Sequence, residues 1–444
     1  MLCAASPAAG HGFGQRFDLP LPLPLWIAGA GATIVLTFAA VAFFARSRSA
    51  SAGYPRVVLL RRAPAAWIAA VRIAAVALFV LTLCAGFFGA QDPYRNLAVT
   101  MVWVIWWVGL AFVCALVGDL WALANPLAAL HAWAGSPSLG LAYPERLGAW
   151  PAVALFFAFA WMELVWPAND VPAYLACAML AYATLAWAGM ALYGRDAWLK
   201  NAEAFSLAFG VLARLAPLRW NGRELELRPP GAGLAAAEPV PVPVLAFVLL
   251  MLASVSFDGF LETPLMERVF LVAIRLGFED AQLVATAAFA AFALGFLAAF
   301  WLASWAMVRA AGGGPTVREA ACAFVLTLVP IAVAYHLAHY FSLLLTAGQF
   351  IIPLGSDPFG FGWDLFGTAR YRVDLGIVSP YVFWYGAVTL IVAGHVIAVL
   401  AAHGTALRVF GGRRRALASQ IPMVALMVAY TMLSLWILAQ PIVG

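Results

Sequence analysis

Apolar residues run through this chain in long blocks, separated by short stretches where arginine, proline and glycine gather. Within a block the apolar residues keep neither the two-residue alternation of a half-buried strand nor the single stripe of a soluble helix. They surround the axis, as they do in a helix immersed in hydrocarbon. About 18 or more such residues suffice to cross a bilayer. Ten blocks qualify, at about 23–45, 64–89, 98–118, 149–166, 172–193, 241–260, 283–308, 320–346, 379–402 and 420–440. The pattern predicts an all-α polytopic membrane protein with about ten transmembrane helices.

The longest break, 194–239, divides the chain. It opens with WLKNAEAFSLAFGVLARLAPL, whose amphipathic pattern predicts a helix lying on or dipping into the membrane surface. RWNGRELELRPPG follows, alternating and turning like a small hairpin. The predicted organisation is therefore an extracytoplasmic segment over 1–22, five helices over 23–193, the cytoplasmic loop, and five helices over 240–444. Ten spans place 18 Lys or Arg in one set of loops and six in the other, with Arg72 inside a span. Basic loops stay in the cytoplasm, so both termini are expected outside. No connection is long enough for a soluble catalytic domain, and any chemistry must use the spans or the outer loops.

Composition agrees: 65% of the 444 residues are hydrophobic, 10% are charged, and the mean hydropathy is +0.94. A soluble chain of this size needs a far more charged surface. The net charge of +5 is dispersed over short loops and does not point to nucleic acid. Five isolated cysteines without a CxxC support neither a disulfide framework nor a thiolate metal site. At the N-terminus, MLCAASPAAG is too short for a signal-peptide core, yet SPAAG is rich in small residues, as cleavage sites are. One reading makes it the remnant of a leader, with a mature chain starting at His11 whose amino group and imidazole would chelate copper.

Ionisable groups inside apolar spans are costly and mark candidate sites. The eighth span contains VAYHLAHYFS, with His336 and His339 one turn apart. Residues at i and i+3 share a helix face, about 5–6 Å apart at Cβ, so both imidazoles can reach one ion. The sixth span ends in SFDGFLETP, with Asp258 and Glu262 four residues apart. Glu163 lies at the same predicted depth, and His395 lies nearer mid-membrane in the ninth span. Two imidazoles, a carboxylate and water make a zinc or iron site, with copper less favoured. His336, His339 and Asp258 are the expected ligands of one divalent transition metal. Glu262 is the expected base or orienting group, His395 a further ligand or relay, and Tyr340, like Tyr335, a hydrogen-bond donor. Packing between helices and a proton relay account for the same histidines without a metal. The outer loop GQFIIPLGSDPFGFGWDLFGTARYRVD offers Asp357 and Asp364 as residues of a lid, or is an ordinary surface loop.

Several stretches together, HGFGQRFDLPLPLPLW, SFDGFLETP, YHLAHYFSLLL, SDPFGFGWDLFGTA, AGHVIAVLAAH and YTMLSLWILAQPIV, resemble a family of bacterial integral membrane proteins labelled fenitrothion hydrolase. The resemblance runs from His11 to the C-terminus. It implies a multi-pass protein of the bacterial inner membrane that hydrolyses an organophosphorus triester to a phenol and a dialkyl thiophosphate; it carries no catalytic residues over. A membrane-embedded metal-dependent hydrolase acting on an apolar small molecule is the first functional expectation. The same residues suit a carrier of metal ions or protons, or a membrane subunit that anchors an extracytoplasmic protein partner.

Overall fold

The computed structural model describes residues 22–44, 55–62, 64–221, 224–235 and 238–440. The N-terminal stretch with SPAAG and His11 lies outside the described residues. Among them, nine helices are long and apolar enough to cross a membrane, and the chain is an all-α polytopic membrane protein.

The first helices are α1 (Leu23–Phe44) and α2 (Ala65–Phe88). Next comes α3 (Leu97–Leu116), whose middle, Thr100–Gly109, is π-helical. Two short helices absent from the sequence expectation follow, α4 (Leu120–Ala124) and α5 (Pro126–Trp133). The predicted fourth span is α6 (Trp150–Leu164), a shorter apolar helix of 15 residues. The fifth is α7 (Pro172–Tyr193). Asn96, Asp119 and Asn125 cap the starts of α3, α4 and α5 through side-chain oxygens that accept backbone N–H groups.

The 194–239 connection folds as α8 (Arg195–Asn201), α9 (Ala204–Leu212) and a hairpin of β2 (Leu218–Trp220) with β3 (Leu225–Leu227). The hairpin matches the sequence expectation. A third strand, β1 (Val57–Leu60), pairs with β3 to give an antiparallel sheet in the order β1-β3-β2. That pairing requires the first and fifth connections to share one side, as the arginine distribution predicts. At the other side, backbone bonds from Ala90 and Leu97 to Phe359 and Pro358 tie the second connection to the eighth.

The stretch expected as one helix lying on or dipping into the membrane surface forms two helices. The chain breaks at Ala202–Glu203, and α9 turns into the bundle with Phe205, Ala208, Phe209 and Leu212 buried. The cause is a ring of aromatic partners. Phe205 lies 4.5 Å edge-on to Trp106 and 4.9 Å from Phe159 between ring centroids, contacts that an interfacial position cannot supply.

The second half contains α10 (Val242–Leu261), α11 (Pro264–Arg275), α12 (Ala281–Ala310), α13 (Val317–Ser356), α14 (Pro380–Phe410) and α15 (Arg413–Leu438). The amphipathic α11 falls where the sequence suggested only a loop. Its Leu271, Val272 and Ile274 stay exposed, as in a helix lying in the membrane interface. The most enclosed helix is α13. It packs along α14 and also touches α3 and α10. The first helix, α1, packs on α14 and α15, and so joins the second group of helices in space despite opening the first group in sequence.

Candidate functional site

The polar aromatics of α13 build the centre. Tyr335, His336, His339 and Tyr340 follow one another at offsets of one, three and one, so they cover adjoining strips of one helix. Tyr335 stacks on His339, with ring centroids 5.8 Å apart. The Tyr340 ring meets His336 at 4.8 Å and His339 at 4.7 Å. Opposite them, α10 supplies Asp258 within its last turn. A carboxylate at a helix C-terminus faces the negative end of the backbone dipole, so it needs donors from elsewhere. Helix α13 brings two: His339 Nε2 lies 2.9 Å from Asp258 Oδ2, and the Tyr340 hydroxyl donates to the same oxygen at 2.7 Å.

Gly259 makes this approach possible. A Cβ there would sit 2.5 Å from Ile437 Cγ2 and 3.2 Å from His339 Cε1. Helix α14 closes on the other side of α13 in the same manner, where a Cβ on Gly394 would come within 2.3 Å of Ala334 Cβ and 2.6 Å of the Pro330 carbonyl. Small residues at these crossings let the backbones meet, as they do between membrane helices generally.

The centre is buried. Asp258 is 2% exposed, Tyr335 1%, Tyr340 4% and His336 7%, while the His339 side chain keeps 16%. His336 also meets α3, its ring 6.0 Å from Trp107 and 5.8 Å from Phe112. Trp107 belongs to the π-helical stretch, where the wider winding perturbs the ordinary backbone bonding. Three enclosed polar atoms around the centre have no hydrogen-bond partner among the described residues: Tyr335 Oη, His336 Nε2 and His339 Nδ1. Trp107 Nε1, beside His336, is a fourth.

The predicted residues divide. His336, His339, Asp258 and Tyr340 come together, and the Glu163 carboxylate is near enough to act electrostatically on Tyr340. Glu262 is the half-buried C-cap of α10, one turn beyond Asp258. His395 is held elsewhere, with Nδ1 2.7 Å from the Ile391 carbonyl and Nε2 2.7 Å from Thr431 Oγ1. Asp357 and Asp364 shape the outer loop by accepting from the backbones of Phe361, Gly362 and Ala369. Among the described residues, no group of three or more His, Cys, Asp or Glu is placed to hold a metal ion. Of the three expected ligands, His339 Nε2 and Asp258 Oδ2 face each other at 2.9 Å, and the His336 ring lies against Trp107 and Phe112 of α3.

Sequence reasoning passed over a buried acid. Glu203, 1% exposed, caps α9 by accepting from Phe205 N and Ser206 N, and also receives the Tyr182 hydroxyl and Trp121 Nε1. Four donors satisfy both its oxygens. It anchors α9 and thereby the wall of rings, Phe205 and Phe209 against Trp107, that closes the bundle beside His336. The available signal was an N-cap residue just before an apolar run, AEAFSLAF.

No family model, curated protein or solved structure matches this chain.

Proposed function

We propose that Asp258 and His339 form a membrane-embedded general acid–base pair that activates water against an apolar ester entering from the bilayer. The observation that carries this reading is the hydrogen bond from His339 Nε2 to Asp258 beside a partnerless Nδ1. A carboxylate that accepts the Nε2 proton fixes the imidazole in the tautomer with its lone pair on Nδ1. That nitrogen then takes a proton from water as the water oxygen bonds to the ester's phosphorus and the P–O bond to the phenol breaks; Asp258 stabilises the imidazolium, which gives its proton to the leaving phenolate. The Tyr335 hydroxyl, stacked beside the imidazole and otherwise partnerless, supplies a donor for charge developing on the ester oxygen. Tyr340 holds the carboxylate in place. The organophosphorus triesters implied by the family resemblance are the substrate class, and their solubility in lipid gives them a route to a buried centre.

Turnover of a nitrophenyl phosphotriester by the protein in nanodiscs tests the proposal. His339→Gln is expected to lower kcat by about 10²–10⁴-fold. Undiminished turnover by the variant, or none by the wild type, overturns it. Metal analysis of the same samples, with His336→Ala/His339→Ala beside the wild type, separates this pair from a metal-activated water held on those histidines.

A second reading is favoured by the burial of Asp258 itself. A carboxylate enclosed in a bundle and bonded to a histidine is the usual fitting of a proton-coupled carrier. Proton flux into proteoliposomes that disappears in Asp258→Asn, without ester turnover, selects that reading.

A further inference from the structure

A second feature lies about 18 Å along α10 from Asp258, counted as twelve residues from Ala246 at 1.5 Å each. Here α10 and α12, with Trp150 at the start of α6, enclose an open apolar groove of about 760 Å³. Its α12 wall runs from Leu294 to Trp305, a rise of about 16 Å. One leaflet of hydrocarbon is about 15 Å deep, so the groove matches the length of one leaflet. Its lining is almost wholly apolar, and Trp150, Trp301 and Trp305 are partly exposed along it. Tryptophan favours the level where hydrocarbon meets headgroups. At that level the guanidinium of Arg309, in the last turn of α12, lies 5.8 Å over the Trp305 ring. Arg309 also belongs to the arginine-rich set of loops, so the groove opens into the leaflet on the basic side of the protein.

The geometry points to a binding site for one anionic glycerophospholipid, with an acyl chain along the groove and its phosphate on Arg309. Charge selects the ligand: an apolar trough alone accepts any chain, whereas a guanidinium at its mouth, in the headgroup layer, favours a net negative headgroup. This site is independent of the acid–base pair.

Native mass spectrometry of delipidated protein, exposed to phosphatidylglycerol or phosphatidylcholine in detergent, tests it. The wild type is expected to retain one phosphatidylglycerol about fivefold better than phosphatidylcholine. Arg309→Gln, an exposed position, should abolish that preference and retain the two lipids alike. Ala298→Trp, which fills the groove, should reduce retention of both. Inorganic phosphate should fail to displace the lipid. Equal retention of both lipids by the wild type, a preference that survives Arg309→Gln, or displacement by inorganic phosphate overturns the proposal.

Discussion

Asp258 and His339 stand 81 positions apart in the chain and 2.9 Å apart in space, and the glycine beside Asp258 is what permits it. In SFDGF the aspartate was legible as a costly charge at the end of an apolar run. Gly259 carried no signal of its own. It is the surface on which the His339 ring rests. Substituting valine there pushes a branched side chain into Ile437 and His339. Gly259→Val should cost about 1–3 kcal/mol through overpacking, read as a lower unfolding temperature, and should impair phosphotriester turnover further by displacing His339. A variant as stable and active as the wild type would remove the close approach from the account. The polar face of α13 was equally legible, because its residues recur at helical spacing. Where each ring would turn was not. His336 and His339 are one turn apart, yet one faces the π-helical stretch of α3 and the other faces α10. Spacing gives a shared side of the helix and leaves the rotamers to the neighbours.

Among the elements, those with long apolar runs appeared where the pattern put them, because hydrocarbon requires a helix to satisfy its own backbone groups. Besides the short α4, α5 and β1, three features escaped. The π-helical winding of α3 has no signature in TMVWVIWWVG. The interfacial α11 was hidden by its closeness to two spans, although Leu265, Val269 and Val272 recur at helical spacing. The inward turn of α9 depends on Glu203 meeting donors from α4 and α7, which only the tertiary fold supplies. Nearby, Asp119 caps α4 through a bond from Ala122 N. Burial, with Glu203 adding repulsion against that cap bond, raises its carboxyl above the usual carboxylate range. A raised acid costs stability once the pH exceeds the folded value, and the cost vanishes when both states are protonated. Asn keeps the cap and removes the charge. Asp119→Asn should therefore raise the unfolding temperature at pH 8, by an advantage that shrinks as the pH falls into the acid range. A constant or opposite difference across that range contradicts the assignment.

At the scale of the whole molecule, alternation of basic and neutral loops predicted which connections share a side, and the two sets of inter-loop bonds agree with it. The β1–β3 pairing joins one set; the bonds of Phe359 and Pro358 join the other. Cysteines placed at Arg219 and at Phe366 should then be labelled from opposite sides of the membrane by an impermeant maleimide in intact cells and in inverted vesicles. Labelling from one side would break the topology. What the linear pattern could not give was the grouping: α1 packs on α14 and α15, an arrangement set by which faces fit once the apolar helices stand side by side.

The central claim, that Asp258 orients His339 as a base, is tested most directly by phosphotriester turnover in nanodiscs, comparing the wild type with Asp258→Asn. The asparagine keeps the size of the side chain but loses the charge that fixes the imidazole. If Asp258 works through His339, kcat falls by about 10²-fold and KM is unchanged, because the substrate does not depend on that carboxylate for binding. An unchanged kcat in Asp258→Asn, or a loss confined to KM, would contradict the account.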